Sequence, residues 1–197
     1  MNILVVDNNN IDLSWLSSRI LSNEKSVIKK YPAKSYDFKY DFDGQTGLGY
    51  ESLTSRSCHY NLLSWWGTRK LKQCIKDGYN TYNRVNNKPI FVQCWANVMR
   101  KGEKIHPHAH SPFQVKPIHA LSGHLCVKVD DTTSTYYDGS PIHNVNGQMT
   151  FFPSTVSHWT DRYLGDSERI TIAFDICSEE WFNFDMQEAA KKRWIKL

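Results

Sequence analysis

No long apolar run interrupts the 197-residue sequence. The longest, Ile3 to Val6, falls far short of the roughly 20 residues that cross a bilayer. The start also lacks the basic stretch and long apolar segment of a secretory leader, so the sequence predicts a soluble, cytoplasmic chain with no membrane partner. Cysteine pairs are missing too. Cys58, Cys74, Cys94, Cys126 and Cys177 are odd in number, scattered and without a C-x-x-C spacing, which argues against a zinc ribbon or redox pair and for reduced core thiols. Heptads and internal repeats are absent, and Asn8-Asn9-Asn10, the one low-complexity tract, reads as a turn. Charge of one sign does not dominate either. The net charge is +4 with both signs interspersed, weak support for a nucleic-acid partner. What is abundant is aromatic: 7 Trp, 10 Tyr and 9 Phe, too many for a solvated chain and suited to a packed sandwich or barrel. Histidine is unevenly placed, with seven of the eight between His106 and His158.

The hydrophobic pattern predicts a single domain over 1–197 with three parts. Residues 1–88 form a helical and irregular cap. Asn10 or Asp12 caps a helix running to about Ser22, with Trp15, Leu16 and Ile20 on one face. Residues 30–58 alternate poorly and read as loop and extended chain. A second helix is predicted from about Leu62 to Asp77, with Leu63, Trp66, Leu71, Cys74 and Ile75 as its apolar stripe and Gly78 as the residue that ends it. Residues 89–177 read as strands: Ile90–Met99, Lys104–His110, Ala120–Val129, Ser134–Tyr137, Gln148–Phe152, Val156–Thr160 and Glu168–Ile176. Residues 178–197 close the chain with a helix. Short strands separated by Gly, Pro, Asp and Asn turns describe a mainly β jelly roll with the N-terminal helices packed outside it.

His108-Ala109-His110 places two imidazoles on one face of an extended chain, where both can meet one metal ion. His106 shares that phase, so His106 and His108 form an alternative frame. Pro107 removes a ladder donor between them. A third ligand is expected from His158, which follows the Gly147-to-Pro153 strand and its turn; three ligands leave coordination positions open, as catalytic metals require. His59, His119, His124 and His143 carry no such context. In Arg169-Ile170-Thr171-Ile172-Ala173-Phe174-Asp175-Ile176, alternation puts Arg169, Thr171, Ala173 and Asp175 on one face and Ile170, Ile172, Phe174 and Ile176 on the other. A guanidinium facing a barrel interior needs a carboxylate, and a ligand carboxylate with a hydroxyl donor alongside meets that need.

His108-Ala109-His110, Gly147 through His158, Arg169 to Phe174, Trp95-Ala96-Asn97, Lys101-Gly102 and Leu121-Ser122-Gly123 together resemble the iron(II)- and 2-oxoglutarate-dependent oxygenases, closest to the phage and marine bacterial type. The likeness covers about residues 89–177. It implies a double-stranded β-helix holding Fe(II) at its open end through His108, His110 and His158. The cosubstrate 2-oxoglutarate would chelate the metal, with its distal carboxylate on Arg169 and Thr171 and with Asn97 as a further contact. It further implies a dioxygenase that takes O2, releases succinate and carbon dioxide and hydroxylates a small molecule, peptide or nucleobase. The usual ligand set in that family is His-x-Asp/Glu followed by a distant His, whereas His110 stands at the carboxylate position here; Asp130, Asp131 and Asp138 are alternative carboxylate donors. Gly102-x5-His108-x-His110 and Gly147-x5-Pro153-x4-His158 are also similar to the two cupin motifs. These imply a metalloenzyme that does not use 2-oxoglutarate. A non-enzymatic jelly-roll binding module is the remaining alternative.

Overall fold

The computed structural model describes residues 2–8, 10–32, 47–110, 116, 118–130, 132–185 and 191–197. Its elements in chain order are β1 (Leu4–Asp7), α1 (Leu13–Lys30), two 3-10 turns (Thr54–Arg56 and Leu62–Ser64), α2 (Arg69–Asn83), β2 (Ile90–Met99), β3 (Ala120–Lys128), β4 (Ser134–Tyr137), β5 (Ser140–His143), β6 (Gln148–Pro153), β7 (His158–Thr160), β8 (Arg169–Ser178), α3 (Glu179–Asp185) and β9 (Ile195–Lys196). Six strands form one antiparallel sheet in the order β1-β6-β3-β8-β2-β9, and β5-β4-β7 form a second. The two sheets make a double-stranded β-helix, the jelly roll expected from the strand pattern.

Alternation gives the large sheet two faces with different tasks. On one face Val92, Ala96, Leu121, Leu125, Phe151, Ile170, Ile172 and Phe174 are fully buried against Ile20 of α1 and Ile75 and Tyr79 of α2. Ala96 apart, each such side chain contributes roughly 1.5–3 kcal/mol relative to exposure. The opposite face carries Trp95, Asn97, His124, Phe152, Arg169, Thr171 and Ala173, all in the wall of one cavity. The register aligns them: Asn97 opposes Thr171, and Trp95 and His124 flank Ala173 from its two sides.

Several boundaries differ from the sequence expectation. Asp12 caps α1 as predicted, its side chain accepting from the Trp15 N–H, but the helix runs on to Lys30. Its second half packs inward through Glu24 and Val27, and Glu24 is paired with Arg100, so a carboxylate stands where the periodicity needs an apolar residue. The second predicted helix begins at Arg69 instead of Leu62. Gly67, at φ 88°, breaks the chain where a Cβ would lie 2.5 Å from the Trp15 ring, and Trp66 projects 81% exposed instead of joining the stripe. Gly78 does not end α2; the helix continues to Asn83, and Arg84 at φ 52° takes the left-handed position.

Lys104–His110 forms no ladder, because Pro107 cannot donate. It makes one bridge, His108 to His158, and separate bonds to Thr160 and Ser154. The C-terminal segment contains the short α3 and the two-residue β9 on β2, with 186–190 outside the described residues. Also outside them are Asn9 of the Asn8–Asn10 turn, 33–46 of the expected loop, and Asp131. Among the described residues, no helix is long and apolar enough to cross a membrane.

Candidate metal centre

His108 and His110 reach the cavity from the extended segment after Pro107, and His158 from the first position of β7. The bridge between His108 and His158 is closed by two backbone bonds, His108 N to His158 O (3.2 Å) and His158 N to His108 O (2.9 Å), which bring the two imidazoles together. The His110 N–H donates to the Ser154 carbonyl (2.9 Å), placing the third. One ring nitrogen from each lies within 4.8 Å of the others, and this is the single group of three or more metal-capable side chains among the described residues. Asp130 and Asp138 are in turns, accepting from Thr132 and from the Ser157 N–H, and take no part in it. His106 contributes its carbonyl rather than its ring.

The remaining ring nitrogens are already engaged. His108 Nδ1 donates to His106 O (2.8 Å), His158 Nδ1 to Val156 O (3.2 Å) and His110 Nδ1 to Asp175 Oδ1 (2.5 Å). Three occupied Nδ1 atoms leave three Nε2 lone pairs for a shared ion. Trp95 packs 5.6 Å from the His110 ring and Phe152 4.7 Å from the His158 ring, which restricts how the imidazoles turn. Burial, with the neighbouring His110 adding to it, pushes the His108 imidazole down to about 4, and the same causes hold His158 well below its ordinary value. Both are therefore neutral at pH 7 and able to ligate. Burial also opposes charge on His110, but Asp175 outweighs it and raises that group. Ser122 donates to the same Asp175 oxygen (2.6 Å) and shares a hydrogen bond with Ser154 (2.9 Å).

The same cavity, about 520 Å³, includes Arg169 and Thr171 in its wall. That volume suits a small-molecule site. Arg169 is 3% exposed, its Nε has no hydrogen-bond partner, and among the described residues no carboxylate forms an ion pair with it. With the Asn144 amide turned so that its nitrogen donates to Thr135, its oxygen accepts from Arg169 Nη2 (3.1 Å). That is a neutral partner for a buried cation, whose isolation costs several kcal/mol. Burial pulls the guanidinium below its ordinary value. Asn97 is held between two hydroxyls: Thr54 Oγ1 donates to its oxygen (2.7 Å), and its nitrogen donates to Thr171 Oγ1 (3.4 Å). Thr171 accepts from the wall, so its own proton is free to point at a ligand beside Arg169.

Sequence reasoning missed Asp175, Ser122 and Thr54 as parts of this site. Asp175 was in phase with Arg169 and Thr171, a usable signal. Nothing local links Thr54 to Asn97, 43 positions later.

The non-heme monooxygenase ThoJ, in its nickel complex, matches 89% of this chain and 73% of its own length at 11% identity with TM-score 0.54. The two chains share a fold. EvdMO1 matches 61% of this chain over 35% of its own length at 12% identity, TM-score 0.50. The viral collagen prolyl hydroxylase vCPH from Paramecium Bursaria Chlorella virus-1 matches 55% of this chain and 70% of its own at 13% identity, TM-score 0.45. This chain thus spans about a third of EvdMO1. No protein-family model and no curated protein matches the sequence. At these identities the shared property is the fold, and the chemistry rests on the side chains.

Proposed function

We propose that this protein is an iron(II)- and 2-oxoglutarate-dependent oxygenase that hydroxylates a small molecule. The carrying observation is the pairing, in one cavity, of three converging imidazoles with a buried guanidinium that no described carboxylate neutralises. The donor set fits a divalent transition metal: three imidazole nitrogens, His108 and His158 already neutral and His110 releasing its Nε2 proton to solvent when an ion binds, with positions left open. The cosubstrate fits Arg169, because a carboxylate there would satisfy the cation bidentately while Thr171 donates alongside. A cupin metalloenzyme needs no such buried cation. Iron(II) with 2-oxoglutarate and O2 supplies oxidative decarboxylation to succinate and carbon dioxide, coupled to hydroxylation of a C–H bond.

The chain's own residues then have separable tasks. His108, His110 and His158 hold the ion, with tautomers set by His106 O, Asp175 and Val156 O. Asp175 returns to the centre, one bond removed, the negative charge that a directly ligating carboxylate would bring. Thr54 and Asn97 orient Thr171, and Trp95 and Phe152 limit water around the imidazoles.

The test is iron-dependent release of succinate from 2-oxoglutarate, together with calorimetric binding of 2-oxoglutarate to nickel-loaded protein. Arg169→Gln should weaken that binding by about 30-fold or more while the nickel content stays near wild type. Equal affinity in the two proteins would remove Arg169 from the site. Metal binding without any 2-oxoglutarate binding would favour cupin chemistry, and no tightly held metal would favour a binding module.

A further inference from the structure

Against the metal cavity lies a second one of about 460 Å³, and the two share His59 and Arg193 in their walls. No Asp or Glu lines either cavity among the described residues, although the chain has 20 acidic residues. The cations of the second cavity are Lys30, Lys192 and Arg193, and Arg169 stands in the first. Among the described residues no carboxylate forms an ion pair with any of those three. Arg193 is anchored rather than loose: Asn61 Nδ2 donates to its carbonyl (2.7 Å) and to the Val92 carbonyl of β2 (2.8 Å), tying it to the sheet that carries the site. Its Nη1 donates to the Cys58 carbonyl, and its Nε is buried without a hydrogen-bond partner. The second cavity also presents flat rings, with Tyr60 stacked on Trp65 at 5.9 Å and Tyr31 on His59 at 5.9 Å.

A fixed, half-buried cation at the junction of two cavities that no described Asp or Glu lines is built to receive an anion. We propose that the substrate is an anionic small molecule whose phosphate or carboxylate is held by Arg193, with Lys30 and Lys192 beyond it, so that the rest of the molecule extends into the metal cavity. Calling this ligand the substrate rests on the oxygenase function proposed above; the anion site itself does not. Arg193 is then the residue that discriminates anionic substrates from neutral analogues.

The experiment titrates inorganic phosphate and, separately, acetate into the full chain by calorimetry at low ionic strength, in wild type, Arg193→Gln and Arg169→Gln. At least one anion should bind wild type, and the tighter of the two identifies the group. Arg193→Gln should weaken that site about tenfold or more, whereas Arg169→Gln keeps it. Unchanged 2-oxoglutarate binding to nickel-loaded Arg193→Gln shows that the variant is folded. No binding of either anion to wild type, or binding of both anions to Arg193→Gln equal to wild type, overturns the proposal; acetate binding lost in Arg169→Gln but kept in Arg193→Gln belongs to the carboxylate site at Arg169. Anion binding at Arg193 in a protein that fails to bind 2-oxoglutarate overturns the oxygenase function and leaves the anion site standing.

Discussion

At the scale of single residues, the proposed metal centre turns on where the negative charge sits. The resemblance implies a carboxylate as the middle ligand, and His110 stands there instead, with Asp175 on its far nitrogen at 2.5 Å and Ser122 fixing the Asp175 oxygen. Carboxylate partners of this kind typically tune metal affinity by 10–100-fold. Asp175→Asn should therefore weaken metal binding by about that factor, read by competition with a chelator, while the thermal melt stays close to wild type. Unchanged affinity would show that the hydrogen bond only fills space. The alternation of β8 placed Asp175 on the face of Arg169 and Thr171 in the sequence. That His110 would meet it was not legible, because the pair is 65 positions apart and depends on the β7 bridge.

At the scale of elements, legibility followed length and purity of period. β2 was predicted over Ile90–Met99 and is observed there, because ten alternating residues leave no other pattern. β1, β5 and β9, at four, four and two residues, carry too little period to stand out, whereas β4, also four residues, is legible over Ser134–Tyr137 through its strand-favouring Thr-Tyr-Tyr run. Gly78 shows how local chemistry misleads. A glycine after an apolar stripe looks like a helix end, yet it lies inside α2, where a Cβ would fall 2.0 Å from the Phe151 ring. Helix propensity alone would make Gly78→Ala stabilising by about 1 kcal/mol. Overpacking a filled core opposes it by about 1–3 kcal/mol. The variant should thus be less stable than wild type in urea unfolding, and a stabilised variant would mean that α2 can move away from β6.

At the scale of the whole molecule, a buried titratable group couples the cavity to folding. His124, in the cavity wall beside Arg169, is held down to about 3 by burial and by that guanidinium, against an ordinary value of 6.5. Between those values the unfolded chain binds a proton that the folded chain refuses, so stability falls as pH drops from 6.5 toward 3. Urea unfolding between pH 6 and 4 should lose stability more steeply in wild type than in His124→Gln, by up to about 1.4 kcal/mol per pH unit. Identical slopes would place the acid sensitivity elsewhere. The two faces of β8 carry a last consequence. Ile170, Ile172 and Phe174 close the core on one side while Arg169, Thr171 and Ala173 line the cavity on the other, within a single strand paired on both edges. A slip of one residue would exchange the two sets, so a misthreaded chain cannot keep a weakened version of the site. Ligand capture by this protein therefore doubles as a census of correctly threaded molecules, and titration to a binding endpoint would count the native fraction in any preparation.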